Sequence, residues 1–168
     1  MRLVILGAGG YGKTVADIAR QSGAYAQIQF LDDNSPEAVG KCADFVRLVD
    51  DETVFYPAFG NNDGRVNWLK KLADAGCKIP ILIHSTAYVS PTAALHPGTV
   101  VLPMAVVNTD CIIHEGCIIN CGAIVDHGCM LEAGVHVCLN AVVKAENRIP
   151  RCTKIEAGQI VENRTYPL

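Results

Sequence analysis

Aliphatic residues recur through the second half of the chain at a strict interval of six. The series has no gap, and its members are Val89, Leu95, Val101, Val107, Ile113, Ile119, Val125, Leu131, Val137, Val143, Ile149, Ile155 and Val161. An α-helix repeats every 3.6 residues and a strand every 2.0, so neither element produces this spacing. An interval of six is typical of a solenoid that turns a corner after each repeat, and it predicts a parallel β-helix.

Each repeat also carries a corner position, three residues after the aliphatic. Glycine, Asn or Asp commonly occupies it, and these residues tolerate a positive φ better than others do. The predicted corners are Gly98, Asp110, Gly116, Gly122, Gly128, Gly134, Asn140 and Gly158. Three repeats make one coil of 18 residues, so residues 18 apart should stack in columns. His96 and His114 share one such column, and Asn108 and Asp126 share another.

The first half of the chain alternates strand and helix patterns. Strands are predicted over residues 2–6, 27–31, 53–59 and 79–83, and helices over residues 14–21 and 63–75. Such alternation is typical of a parallel sheet with helical crossovers. The sequence therefore predicts an α/β plus β architecture, with a small Rossmann-like domain over residues 1–84 and a β-helix over residues 85–168.

A glycine-rich loop joins the first strand to the first helix. Gly7, Gly9 and Gly12 have the GxGxxG spacing, which lets a backbone approach a phosphate at a helix N-terminus. Asp32 and Asp33 end the next strand, where a ribose hydroxyl would lie. The domain is small for a dinucleotide, so a mononucleotide or nucleotide-sugar fits better. The alternative is a tight turn that binds no ligand.

Composition narrows the possible partners and the compartment. The 168 residues carry a formal charge of −3 without a basic run, which argues against nucleic acid as a partner. The apolar runs are too short for a membrane span or a signal peptide, so a cytoplasmic protein is expected. Eight cysteines occur without a CxxC pair. We expect Cys111, Cys117 and Cys129, which lie four residues after an aliphatic of the repeat, to act as small hydrophobic residues, and we expect no metal site.

An ordered set of motifs extends over nearly the whole chain. It comprises GAGGYGK, FLDD, FGNN, LIHSTAYVSPTA, INCGAIVDHGC and GVHV. In this set the chain resembles the sugar O- and N-acyltransferases that join an N-terminal nucleotide-sugar domain to a left-handed β-helix. That group contains the bacillosamine-pathway and sialic-acid acetyltransferases.

The resemblance implies transfer of an acetyl group from acetyl-CoA to an amine or hydroxyl of a nucleotide-linked sugar. His127 matches the family's general base, a role that suits an imidazole near neutral pH. Asn120 matches an active-site asparagine that orients the histidine or the substrate. His136 matches the histidine beside the acetyl thioester of the cofactor. The nucleotide-sugar site is implied at Gly7, Gly9, Tyr11, Gly12, Asp32, Asp33, Asn61 and Asn62.

Coil geometry separates the two histidines. His127 and His136 are nine residues apart, or one and a half repeats, so they lie on different faces of one coil. They would meet only across a subunit interface. A three-sided prism with apolar faces suits a threefold oligomer, so a homotrimer is expected.

Features near the candidate base and at the end of the chain keep a second function open. Gly128 follows His127 where the family usually has an acidic residue. The stretch over residues 144–154 loses its glycines and gains charge, so we expect the β-helix to be capped there, with a shortened CoA groove. The alternative function is an inert or regulatory trimer that binds a nucleotide-sugar.

Overall fold

A computed structural model describes residues 1–167 and divides the chain into two compact units, Met1–Pro80 and Ile81–Leu168. The first unit contains three strands, β1 (Arg2–Leu6), β2 (Gln27–Leu31) and β3 (Thr53–Pro57). It also contains two α-helices, α1 (Gly10–Ser22) and α2 (Asn62–Asp74), and a short 3-10 helix over Cys42–Arg47. The strands form one parallel sheet in the order β2-β1-β3.

Helix α1 begins four residues earlier than the predicted residue 14, within the glycine loop. Gly9 is its extended N-cap, and Gly23 ends it in the left-handed conformation. Two glycines and the lack of aliphatic residues in this first turn hid its helical character in the sequence. Val15, Ile18 and Ala19 are buried, as the pattern predicts.

The predicted strand over residues 79–83 is wrong in extent. Only β4 (Leu82–Ile83) forms, and it pairs with a strand of the second unit rather than with the α/β sheet. The α/β sheet gains only an isolated bridge between Val54 and Lys78 at this edge. Pro80 explains the interruption, because proline has no N–H to donate to a strand.

The second unit is built from two-residue strands in three parallel sheets. The sheet orders are β16-β13-β10-β7-β4, β17-β14-β11-β8-β5 and β15-β12-β9-β6, which we name faces B, C and D. This arrangement confirms the predicted fold class, an α/β region followed by a left-handed parallel β-helix. After β4 the strands are β5 (Tyr88–Val89), β6 (Ala94–Leu95), β7 (Val100–Val101), β8 (Val106–Val107), β9 (Ile112–Ile113), β10 (Ile118–Ile119), β11 (Ile124–Val125), β12 (Met130–Leu131), β13 (His136–Val137), β14 (Val142–Val143), β15 (Arg148–Ile149), β16 (Lys154–Ile155) and β17 (Ile160–Val161).

All thirteen aliphatics of the repeat point into one continuous core. Eleven are buried, and Val89 and Leu95 pack against them while partly exposed. Each full burial of such a side chain is worth about 1.5–3 kcal/mol, so the column supplies the main driving force for this unit. The first unit has a separate core around Leu6, Phe55 and Leu72.

The corner positions have positive φ in every repeat from residue 98 to residue 164. The eight predicted corners are confirmed, and four further residues adopt the same conformation: Met104, Glu146, Cys152 and Arg164. These side chains carry no sequence signal for a left-handed backbone. The inward aliphatics and the bonds between coils impose it on them.

The expected cap over residues 144–154 is wrong. Strands β15, β16 and β17 continue the coil, and Val161 is still buried at its inward position. The charged residues in this stretch point outward and pair with residues of neighbouring coils. Lys144 lies against Glu162, and Arg148 against Glu132. Loss of glycine and gain of charge therefore changed the surface of the β-helix and not its path.

The position four residues after each aliphatic has a second function besides packing. The thiols of Cys111, Cys117 and Cys129 donate to carbonyl oxygens fifteen residues later, at 3.1 Å, 3.3 Å and 3.2 Å. Thr99 and Asn147 make the same contact from their side chains. These cysteines are buried and free, so they act as small residues that also donate a hydrogen bond between coils.

Candidate active site

The candidate nucleotide-sugar residues gather at one edge of the α/β sheet. The glycine loop follows β1, Asp32 and Asp33 follow β2, and after β3 Asn61 caps α2 and Asn62 begins it. All three strands are parallel, so these segments share the carboxyl edge of the sheet. Open α/β sheets bind their ligands at this edge.

The three glycines of the GxGxxG spacing, Gly7, Gly9 and Gly12, differ in what a side chain at each position would contact. A Cβ on Gly12 would lie 2.0 Å from the backbone oxygen of Gly7, so α1 can approach β1 only if residue 12 is glycine. Gly7 has φ of +104°, a conformation that other residues rarely adopt. Gly9 has no heavy atom within 4 Å of a Cβ position. Gly9, like the following Gly10, therefore has surroundings that leave room for a ligand.

The carboxylate of Asp32 binds the backbone of its own unit. One oxygen accepts the N–H of Ala8 at 2.8 Å, and the other accepts those of Asn34 and Ser35. The N–H groups of Ala8 and Asn34 hold the pKa of the Asp32 carboxyl below its usual range. Asp33 accepts the N–H of Cys42 at 3.0 Å while its side chain stays exposed. Asp32 thus ties the glycine loop to the turn after β2.

A pH-dependent loss of stability should follow from this arrangement. Because the pKa of Asp32 is lowered on folding, its contribution is present above the ordinary value near 3.8 and disappears as the pH falls through the folded value. We expect Asp32→Asn to lower the Tm at pH 7 by about 2–4 °C. The difference from wild type should narrow below about pH 4. Asp17→Asn, on the exposed face of α1, is the control and should leave the Tm unchanged at both pH values.

Tyr11 is held inside the unit. Its hydroxyl lies 2.8 Å from that of Tyr56, and the two rings meet edge to face. Burial raises the pKa of the Tyr11 phenol to about 12, against the opposing effects of the Tyr56 hydrogen bond and the Arg65 charge. The phenol is therefore neutral at physiological pH and acts as a hydrogen-bonding group.

Arg65 also lies at this edge, and it is not among the residues predicted from the sequence. Its side chain is fully buried and donates to the Phe59 carbonyl at 2.9 Å and to Asn62 Oδ1 at 2.8 Å. The available signal was a charged residue four positions before Leu69 on the apolar face of the predicted helix. Asn61 caps the same helix by accepting the N–H of Gly64 at 2.7 Å.

Asn120 and His136 form a hydrogen-bonded pair in the β-helix. Asn120 Nδ2 lies 3.0 Å from His136 Nε2, and Asn120 Oδ1 accepts the N–H of Cys121 at 2.8 Å. The second contact fixes the orientation of the amide, so Nδ2 donates and His136 Nε2 accepts. His136 lies on face B, and Asn120 lies at the corner between faces B and C.

His127 lies at the next corner, between faces C and D, and its side chain is exposed. Its backbone N–H donates to Asp126 Oδ1 at 2.7 Å, and the same oxygen accepts the amide of Asn108 at 3.2 Å. Among residues 1–167, no side chain hydrogen-bonds to the imidazole of His127. The contact between Asn108 and Asp126 confirms that residues 18 apart stack in a column. The rings of His96 and His114, whose centroids are 5.1 Å apart, confirm a second such column.

Face C separates the two corners that carry these residues. Its outward side chains are apolar, and three of them are exposed by 39–55%. The column comprises Tyr88, Val106, Ile124, Val142 and Ile160. The Asn120–His136 pair and His127 therefore lie at opposite edges of an exposed apolar face.

The described part of the chain contains neither a cluster of metal-binding side chains nor a membrane-spanning helix. No three His, Cys, Asp or Glu side chains in residues 1–167 group in a way that would hold a metal ion. No helix in the same range combines the length and the apolarity needed to cross a bilayer.

Known proteins resemble this chain in sequence and in structure. Residues 2–72 match the family described as the PglD N-terminal domain. The acetyltransferase domain of PglB from Neisseria gonorrhoeae is 34% identical, with a TM-score of 0.94 over 97% of this chain and 83% of that one. The same domain in complex with acetyl coenzyme A is 35% identical over 97% and 82%, with a TM-score of 0.92.

A more distant structure completes the comparison. PerB from Caulobacter crescentus, in complex with CoA and GDP-perosamine, is 26% identical. The match covers 100% of this chain and 92% of that one, with a TM-score of 0.75. The similarity therefore extends over both units.

Proposed function

We propose that this chain transfers the acetyl group of acetyl-CoA to an amine or hydroxyl of a nucleotide-linked sugar. The chain belongs to the hexapeptide-repeat family of sugar acetyltransferases. The observation that carries the proposal is the identity of 34% to the Neisseria acetyltransferase domain over nearly the whole chain. The complexes of related proteins with acetyl-CoA, and with CoA and GDP-perosamine, support the two substrate classes.

His127 acts as the general base of this reaction. It takes the proton of the acceptor amine or hydroxyl while the lone pair of that group attacks the acetyl carbon. The thioester C–S bond then breaks, and the departing thiolate recovers the proton from the imidazolium. An exposed imidazole at a corner suits this role, because the acceptor can reach it. His136, positioned by Asn120, lies beside the thioester end of the donor.

The complete site requires two subunits. His127 and the Asn120–His136 pair lie at the two edges of face C, and the apolar column between them is exposed in a single chain. A neighbouring copy that covers this face would bring one chain's His127 to the other's His136. Closed rotational symmetry with three subunits gives every such face a neighbour, so we propose a homotrimer.

The distribution of charge supports a phosphate-bearing donor. Residues 81–143 contain no Lys or Arg, whereas the following coils have an excess of basic residues, with Lys144, Arg148, Arg151, Lys154 and Arg164 against Glu146, Glu156 and Glu162. Lys154 follows His136 directly in the register of face B. A thioester bound beside His136 would therefore lie next to the coils that carry these basic residues, because β16 follows β13 on face B.

The experiment that tests this function is a transfer assay. Purified protein is incubated with acetyl-CoA and a panel of amino- and hydroxyl-bearing nucleotide-sugars, and release of free thiol is measured. We expect turnover with at least one acceptor, and slower turnover when S-acetylpantetheine, which lacks the phosphates, replaces acetyl-CoA. Nucleotide-sugar binding by calorimetry without any acetyl transfer would instead support the inert or regulatory function.

A further inference from the structure

His127 lacks a side-chain acceptor in its own coil. An imidazole that acts as a base works best when an acceptor binds its second ring nitrogen, because that contact fixes the tautomer and stabilises the imidazolium. Asp126, the adjacent carboxylate, already accepts the N–H of His127 and the amide of Asn108 on one oxygen. A second carboxylate near the base would leave both of these contacts in place.

Glu146 lies one coil further along, directly over the peptide that joins His127 to Gly128. Its N–H donates to the His127 carbonyl at 3.2 Å. A Cβ built on Gly128 would lie 3.7 Å from Glu146 Cγ, an ordinary van der Waals contact, so the Glu146 side chain lies next to position 128. Cα atoms on adjacent columns of successive coils are about 6 Å apart, which lets an outward glutamate and an outward histidine meet.

We infer that Glu146 is the positioning carboxylate for His127 in the proposed acetyl transfer. The inference rests on the proposed function. When His127 takes the acceptor proton on one ring nitrogen, the N–H on its other ring nitrogen donates to Glu146. That proton stays on the imidazole throughout, and the one taken from the acceptor passes to the departing thiolate. Glu146 thus acts only through His127.

Arg164 and the other nearby charges define the setting of Glu146. Glu146 Oε2 accepts Arg164 Nε at 2.6 Å and lies against Arg164 Nη2, so the carboxylate is paired with a residue one coil further from His127. Asp126 and Asp110 lie on the preceding coils, and the Lys144–Glu162 pair lies beside Glu146. Glu146 is 41% exposed, so its side chain has room to turn toward the imidazole.

The test compares Glu146→Gln with Glu162→Gln. Glu162 belongs to the column of residue 144 and not to that of residue 128, so its substitution removes a nearby carboxylate from outside the proposed position. We expect Glu146→Gln to lower kcat about ten- to a hundred-fold while the KM for acetyl-CoA stays unchanged. The acidic limb of the kcat/KM profile should move to lower pH, because the lost carboxylate favoured the protonated imidazole. Glu162→Gln should change neither quantity. A kcat within two-fold of wild type and an unmoved limb in Glu146→Gln would overturn the inference.

A second variant tests the position of the carboxylate. Asp110 occupies the corner one coil before Gly128 with φ of +57°, so an aspartate is tolerated at such a corner. Gly128→Asp placed in the Glu146→Gln protein should recover at least ten-fold of the lost kcat. A loss of kcat that is due only to altered folding would not recover, and that outcome contradicts the inference.

An NMR titration separates this inference from the proposed function. The imidazole signals of His127 are followed against pH in the wild type, in Glu146→Gln and in Glu162→Gln. We expect the midpoint for His127 to fall only in Glu146→Gln. If the wild type transfers no acetyl group, the proposed function fails, yet this titration still decides whether Glu146 acts on His127. An unchanged midpoint overturns the inference.

Discussion

Replacing His127 with alanine should lower kcat by about a hundred- to ten-thousand-fold, the usual range for loss of a general base. The fold should remain intact, because the His127 side chain is exposed and its ring bonds to no side chain within residues 1–167. The measurements are the rate of thiol release and the Tm of the same preparation. His114→Ala, which removes a half-exposed corner histidine from the stacked pair with His96, is the matched control.

Mixed subunits extend this prediction to the location of the site. His127→Ala and His136→Ala chains, each impaired alone, are unfolded together and refolded as mixtures. If each site takes His127 from one subunit and His136 from its neighbour, about one quarter of the sites in random mixtures carry both histidines. Activity should therefore recover to about that fraction of wild type. Mixtures as inactive as the separate variants would place both histidines of a site in one chain.

Replacing Gly12 with alanine should destabilise the first unit by about 3 kcal/mol or more. The added Cβ would lie 2.0 Å from the oxygen of Gly7, and a backbone atom cannot move aside as a flexible side chain would. Urea unfolding followed by fluorescence of Trp68 measures this effect. Trp68 is the single tryptophan of the chain and packs against Phe45 and Phe59 in the same unit.

Gly9→Ala is the matched control for this substitution. It lies in the same loop, its φ of −72° suits any residue, and nothing lies within 4 Å of its Cβ position. We expect Gly9→Ala to lower the free energy of unfolding by at most about 1 kcal/mol, which is the usual effect of a substitution at a helix N-cap. It should nevertheless weaken nucleotide-sugar binding by calorimetry, because the methyl group would occupy the approach to the helix N-terminus. Equal stabilities of the two variants would contradict this account of the loop.

The repeat could be predicted from sequence because one physical requirement, an inward aliphatic, recurs without exception. The corners at Met104 and Cys152 could not, because their positive φ is imposed by neighbouring coils and not by the residue itself. The end of the β-helix was misplaced for a related reason. Charge at the outward positions of the last coils describes their surface, while Ile155 and Val161 keep the path unchanged.

The sequence indicates the types of the candidate site residues, but it does not indicate the contacts that they make. Asp32 lies at the predicted strand end, yet its carboxylate binds backbone N–H groups, because the turn after β2 curls around it. Asn120 hydrogen-bonds to His136 because residue 138 stacks on residue 120, and His136 lies two residues before residue 138. Arg65 was missed because a buried charge looks like a surface residue when its partners are unknown.

The 18-residue coil also limits how the length of this protein can change. An insertion of six residues between Asn120 and His136 would keep every inward aliphatic in place, because the core repeats at that interval. It would also rotate all later residues by a third of a turn, so that His136 would move to another face and lose Asn120. Only an insertion or deletion of eighteen returns each face to its direction. The core thus tolerates three rotational settings, of which the site accepts one.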